Sequence, residues 1–205
     1  MKTIFSLPTD IYKNRRLIFK LAKNDFKTRY AGSYLGIVWA FIQPVITILV
    51  YWFVFSVGFR SGTGDLGVPF VLYLVAGIVP WFFFQDALIG GTNSMLEYNY
   101  LVKKVVFNIS VLPVVKIISA LFVHCFFVLF TIILYAAYGK FPDVYYFQLI
   151  YYSICVFILV LGLSYATSAI VIFFRDLAQI INIALQVGIW LTPIMWIAET
   201  SLQGH

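Results

Sequence analysis

From Leu35 to Phe59 the chain is apolar, broken only by small or weakly polar residues, and no charge falls between Arg29 and Arg60. About 20 apolar residues, rising about 1.5 Å each, cross a bilayer core. In lipid such a run must be a helix, because only a helix satisfies its own backbone groups there. Further apolar runs follow over 68–84, 111–138, 145–174 and 177–197. The pattern therefore predicts five spans, within a membrane domain over 35–197.

Local chemistry refines each span. Gln43-Pro44 predicts a kink in the first, because Pro44 lacks an N–H and crowds the preceding turn. Gly77 and Pro80 interrupt the short second run, and Gln85 and Asp86 mark its inner end. Over 90–112, Asn93, Ser94, Glu97, Asn99, Lys103 and Lys104 alternate with Met95, Leu96, Tyr100, Leu101 and Val102. That mixture predicts a short helix with one docking face. Pro113 sets the start of the third span, and Lys116 near its inner end is placed to snorkel. Gly139, Pro142 and Asp143 supply an outer turn, and Arg175-Asp176 a short inner one.

Residues 1–34 precede the spans. Over 11–30, Leu17, Ile18, Leu21, Ala22 and Phe26 share one helical face, while Lys13, Arg16, Lys20, Lys23 and Lys27 occupy the other. Such a helix lies in the membrane interface, or else is an ordinary solvated helix beside the membrane. There is no internal repeat, and the late, long first run predicts no cleavable signal peptide.

Composition settles the class. Hydrophobic residues make up 62%, charged residues 11%, and mean hydropathy is +0.96. Soluble domains average about 25% charged residues, so this is an all-α polytopic membrane protein. Eight of the 14 Lys and Arg precede the first span, Lys2, Lys13, Arg15, Arg16, Lys20, Lys23, Lys27 and Arg29. They predict a cytoplasmic N-terminus in the plasma (inner) membrane and leave 198–205 outside. Lys103, Lys104 and Arg175 in inner loops, against Arg60 and Lys140 in outer ones, agree. Beside a span, this basic cluster meets anionic lipid; no groove-reading module argues for nucleic acid.

Catalytic chemistry is excluded on inventory. Gly139-Lys140 is followed by Phe141, so there is no phosphate-binding loop, and neither a zinc motif nor a metal-ligand cluster appears. His124 is the one ionisable group deep in a span; its plainest role is a bond to a neighbouring helix. Cys125 and Cys155 read as small buried hydrophobes. A proton- or ion-coupled carrier places carboxylates near the midplane, yet Asp86, Glu97, Asp143 and Asp176 lie at span ends or in loops. The energy source then belongs to another chain, with 90–112 as its handle. Trp39, Tyr51, Trp52, Trp81, Trp190 and Trp196 are interface anchors or flat faces along a pathway, and the pattern leaves both readings open.

Four ordered blocks carry a resemblance. They are Asp25 to Tyr30 with Ser33, Leu35-Gly36, Trp39 and Pro44; Gly77, Pro80-Trp81 and Phe83; Leu101, Lys103-Lys104 and Leu112-Pro113; and Phe173, Arg175-Asp176 and Leu191 to Ile194. Together they resemble the polysaccharide-exporting ABC-2 permeases, the membrane subunits for O-antigen, teichoic acid and capsule export. The resemblance implies a homodimer working with two cytoplasmic ABC ATPase subunits, which carry ATP and Mg; no cofactor belongs to this chain. It implies an interfacial gate helix bearing Lys20, Lys23, Lys27 and Arg29. It also implies an ATPase-coupling loop containing Asn93, Met95, Leu96, Glu97, Tyr100, Leu101, Lys103 and Lys104. Tyr51, Trp52, Trp190 and Trp196 are the candidate channel aromatics. The implied function is outward transport of a lipid-linked polysaccharide, not enzymatic catalysis. An ABC-2 permease for a drug, lipid or smaller glycoconjugate, or a non-transporting membrane scaffold, is the alternative. Two departures stand out. Asn108 occupies a place where the family commonly has proline, and Glu199 to His205 offers no apolar run for the re-entrant helices and sixth span that the resemblance implies.

Overall fold

The computed structural model describes residues 7–58, 68–98, 109–141 and 143–196. Among these, every regular element is helical: α1 (Leu7–Lys13), α2 (Arg15–Arg29), α3 (Trp39–Phe53), α4 (Phe70–Glu97), α5 (Leu112–Ala137), α6 (Phe147–Val171) and α7 (Leu177–Leu191). Four helical stretches are long and apolar enough to cross a membrane: Gly36–Gly58, Phe70–Glu97, Ile109–Ala137 and Val144–Val171. The chain is a multi-pass membrane protein.

The first span starts in a tight 3-10 turn, Gly36–Val38, and ends in a wider π turn, Val54–Gly58. Pro44 lies inside α3, which continues as helix on both sides of it. The departures from α geometry therefore fall at the ends of the span.

The second span differs most from expectation. It does not stop at Phe84; α4 continues unbroken through Gly77, Pro80, Gly90 and Gly91 to Glu97. At about 1.5 Å per residue it is about 42 Å long, well beyond a bilayer core of about 30 Å. Packing explains the continuity. α4 is central and contacts α3, α5, α6 and α7. Gly91 has α6 directly against it, so the absent side chain is what lets the two helices meet. The hydroxyls of Thr92 and Ser94 donate to the Leu88 and Gly91 carbonyls, so these buried polar residues stay satisfied inside the helix. Of the stretch 90–112, where the sequence predicts a short docking helix, residues 90–97 continue α4, and residues 99–108 lie outside the described residues.

Around α4 the core divides by partner. Phe83, Ala87 and Leu88 pack on Ile117 and Ala120 of α5, Val160 of α6 and Leu185 of α7. Val75, Ile78 and Val79 pack on Ile48 of α3 and Phe127 of α5. Pro113 lies in the first turn of α5, as its lost N–H requires. At the other end of α5, Gly139 has φ +77°, and the amides of Gly139 and Lys140 bond the carbonyls of Ala136 and Tyr135. That left-handed closure satisfies the last carbonyls and turns the chain toward α6.

α7 stops at Leu191, short of the expected 197. Pro193 disfavours helical geometry at the residue before it, and Thr192 is extended, with ψ 139°. The chain then folds back. Tyr73 Oη donates to the Pro193 carbonyl over 2.6 Å, and Met195 is buried beside Phe70, Leu74 and Ile189. Cys125 and Cys155 correct another expectation, since both are exposed on the helix surfaces. Facing lipid, an apolar side chain needs no protein cover, so hydrophobicity alone could not place them inside.

Candidate functional site

α3, α4, α5 and α7 enclose a cleft of about 550 Å³. Trp39, Tyr51, Phe82, Phe83, Phe127 and Trp190 give it aromatic walls, with Gln43, Gln85, Gln186 and Thr47 among them. Tyr30 and Asp86 lie at the end nearest α2. The rings of Tyr51 and Trp190 meet edge-on at 6.4 Å, joining α3 to α7.

The structure divides the four candidate aromatics. Tyr51 and Trp190 line the cleft together. Trp52 does not, because neighbours in a helix point about 100° apart. Trp196 lies in the turn after α7, and its Nε1 donates to the Trp190 carbonyl over 3.1 Å, steadying the strand of backbone behind that ring. Sequence reasoning does not place the three glutamines in a site: it reads Gln43 and Gln85 only as a kink and a span end, and Gln186 not at all. An uncharged amide inside an apolar run was the available signal.

His124 borders the cleft but is 5% exposed. Its Nε2 is 3.1 Å from Ser153 Oγ on α6, and its ring stacks on Phe83 of α4 at 4.6 Å. This is the helix-to-helix bond that the sequence suggested.

A second constellation lies where α2 meets the bundle. Ile18 and Ala22 of α2 pack on Val111, Val114 and Val115, and Phe19 and Phe26 set their rings edge-on to Phe122. This seam holds the helix so that its acidic residue faces inward. Asp25 Oδ1 accepts from Lys116 Nζ at 2.6 Å and from Tyr98 Oη at 2.9 Å. Lys116 Nζ also pairs with Glu97. Arg29 Nη1 reaches both carboxylate oxygens of Asp86 at 2.7 Å. Burial pushes the Asp25 pKa up, but the bonded Lys116 ammonium, together with hydrogen bonds from Ser119 and Tyr98, outweighs it and leaves the carboxyl below its usual value. Burial likewise works against the Arg29 charge, and the adjoining Asp86 reverses that, so the guanidinium is held protonated more firmly than usual.

The expected gate-helix residues separate accordingly. Lys20, Lys23 and Lys27 are exposed, whereas Arg29 turns to Asp86. Lys116 does not snorkel to an interface; it is buried between two carboxylates. Asn93, Met95, Leu96 and Glu97 occupy the last turns of α4, while Tyr100, Leu101, Lys103 and Lys104 lie outside the described residues. Sequence reasoning missed this network; a lysine in an otherwise apolar helix, which demands a carboxylate somewhere, was the available signal.

The family model of the ABC-2 type transporter matches residues 16–200. The chain belongs to the ABC-2 type transporter family. A protein of Myxococcus xanthus, "O-antigen export system permease protein RfbA", is 31% identical over 200 residues, covering 95% of this chain and 73% of that protein. A Klebsiella pneumoniae protein of the same name is 25% identical over 186 residues, covering 89% and 70%. The family match takes in most of α2, all the spans and α7, so both the cleft and the ion network lie within the ABC-2 transporter region.

Proposed function

We propose that this chain is the membrane subunit of an ATP-driven exporter that moves a lipid-linked polysaccharide outward. ATP and Mg are bound by a separate cytoplasmic ABC ATPase, and two copies of this chain form the pathway. Family membership supports the transport role and the ATPase partner. The names of the relatives, O-antigen export permeases, support the polysaccharide class.

The cleft lining carries the substrate reading. Flat rings such as Tyr51 and Trp190 stack on the C–H faces of sugars, and Gln43, Gln85 and Gln186 both donate to and accept from hydroxyls. Among the described residues, the one carboxylate on the cleft, Asp86, is already answered by Arg29. Neutral faces with exchangeable hydrogen bonds let a long chain slide without a deep binding minimum. The basic N-terminal region supports a cytoplasmic N-terminus.

Complementation tests this. The chain and its ATPase are expressed in a strain lacking the corresponding permease, and surface glycan is measured. We expect long-chain glycan at the surface, and less of it with Trp190→Ala or Gln186→Ala. Export of a drug or small lipid, without surface glycan, would overturn the substrate class.

A further inference from the structure

Asp86, Gly90, Asn93 and Glu97 recur every three or four residues along α4, so they share one face of its last turns. That face lines a second cleft, of about 410 Å³. Its other wall is Asp25, Thr28 and Arg29 of α2 and Lys116 of α5. A carboxylate at each end of the α4 stripe thus meets a cation from across the cleft: Asp86 meets Arg29, and Glu97 meets Lys116. The apolar seam of α2 runs to α5 and the residues just before it. Toward α4 and its cap, α2 is tied by polar contacts, directly from Arg29 to Asp86 and from Tyr98 to Asp25, and indirectly through Lys116.

The ion pairs differ in depth. The side chains of Asp25 and Lys116 are 6% and 7% exposed, those of Asp86 and Glu97 43% and 52%. Separating the deep pair would strand a charge away from water, so Asp25 and Lys116 stay together. A half-exposed carboxylate returns to water at little cost, so Glu97 and Asp86 are the releasable ends. Glu97 ends α4, and Lys116 lies near the start of α5. Residues 99–108 follow directly on Tyr98 and Glu97 in sequence, so a load there reaches these two first, and through them Asp25 and Lys116.

We propose that Lys116 is a positioning residue for transport. Its pairs with Asp25 and Glu97, beside the bond from Tyr98 to Asp25, join α2 to the end of α4, so that α2 shifts within the bundle when an ATPase loads the last turns of α4. Tyr30, next to α2, and Asp86 also line the aromatic cleft, so this shift reshapes one end of it. The proposal rests on the ATPase-driven reading above.

Spin labels test it in the assembled permease–ATPase complex. One label replaces Lys23 on exposed α2 and the other Ile170 on exposed α6, after Cys125→Ser and Cys155→Ser. Distances are compared with and without a non-hydrolysable ATP analogue, and export is expressed per ATP hydrolysed. We expect a nucleotide-dependent distance change in the parent. Lys116→Met and the milder Glu97→Gln should abolish most of it, and Lys116→Arg should retain it. Export per ATP should fall about tenfold in Glu97→Gln, the scale of a coupling between two sites. An unchanged distance response with undiminished export per ATP in Glu97→Gln would overturn the proposal. So would a loss of export that merely tracks the amount of complex assembled. A parent chain that captures no ATPase would overturn both readings. A parent that shows the nucleotide response but exports no polysaccharide would overturn the substrate class alone.

Discussion

Gly91 of α4 and Ser164 of α6 face each other so closely that a β-carbon on Gly91 would stand 2.2 Å from Ser164 Oγ and 2.6 Å from its Cβ. The Oγ could rotate away, but the Cβ could not. Gly91→Ala should therefore force α4 and α6 apart, at a cost of about 1–3 kcal/mol for overpacking. With Ser164→Gly added, the nearest Ser164 atom left would be the Cα at 3.8 Å, an ordinary contact. Thermal unfolding in detergent should show the single variant destabilised and the double variant recovered. A double variant as weak as the single one would refute the geometric cause.

Asp25 should confer stability that disappears in acid. On folding, burial raises its pKa, but the bonds and charge of Lys116, with Ser119 and Tyr98, more than offset this and hold the carboxyl below its usual value. A carboxyl with a depressed folded pKa stabilises fully above its unfolded pKa and loses that contribution as pH falls through the folded one. Asp25→Asn leaves Lys116 buried with one fewer partner, a change that costs about 3–5 kcal/mol when a buried pair is broken. The gap in unfolding stability between wild type and Asp25→Asn should stay constant from pH 7 to about pH 5, then narrow below pH 4. A gap independent of pH would contradict the ion-pair account.

Tyr73 should hold the turn after α7. Its hydroxyl donates to the Pro193 carbonyl at 2.6 Å and lies 3.3 Å from that of Trp196. Tyr73→Phe removes these bonds at a cost of about 0.5–1.5 kcal/mol each. Hydrogen exchange over residues 194–196 should accelerate, with little change in the middle of α4. Equal protection in both proteins would mean that Met195 burial alone anchors the turn.

Lys20, Lys23 and Lys27 project from α2 while its apolar face is docked on the α5 side. Each cation near an anionic surface contributes about 1 kcal/mol of attraction. Wild-type stability should therefore rise with the fraction of phosphatidylglycerol in mixed bilayers, and high salt should weaken the rise. Replacing all three by glutamate should abolish or reverse it. An identical lipid response in the variant would remove this helix from the membrane surface.

The class of the protein and the cores of its spans were readable along the chain. The reason is local: hydrocarbon accepts a long apolar segment only as a helix, whatever its neighbours are. The helix over 11–30 was visible for the same kind of reason, as a period in side-chain polarity. Element ends were harder, because local rules competed. Pro193 argued for a stop, the apolar residues 194–197 argued for continuation, and the proline prevailed once Tyr73 and the pocket for Met195 were there to receive the turn. Gly77 and Pro80 looked like interruptions of α4, yet packing on four neighbouring helices kept it whole. The pairings themselves were decided only in three dimensions. Asp25 and Lys116 are 91 residues apart, so no period or motif could join them. Likewise, whether Tyr51 or Trp52 faces the cleft depends on how α3 is rotated against α4 and α7. A bilayer acts on each segment separately, whereas ion pairs and cleft walls exist only once distant segments have met.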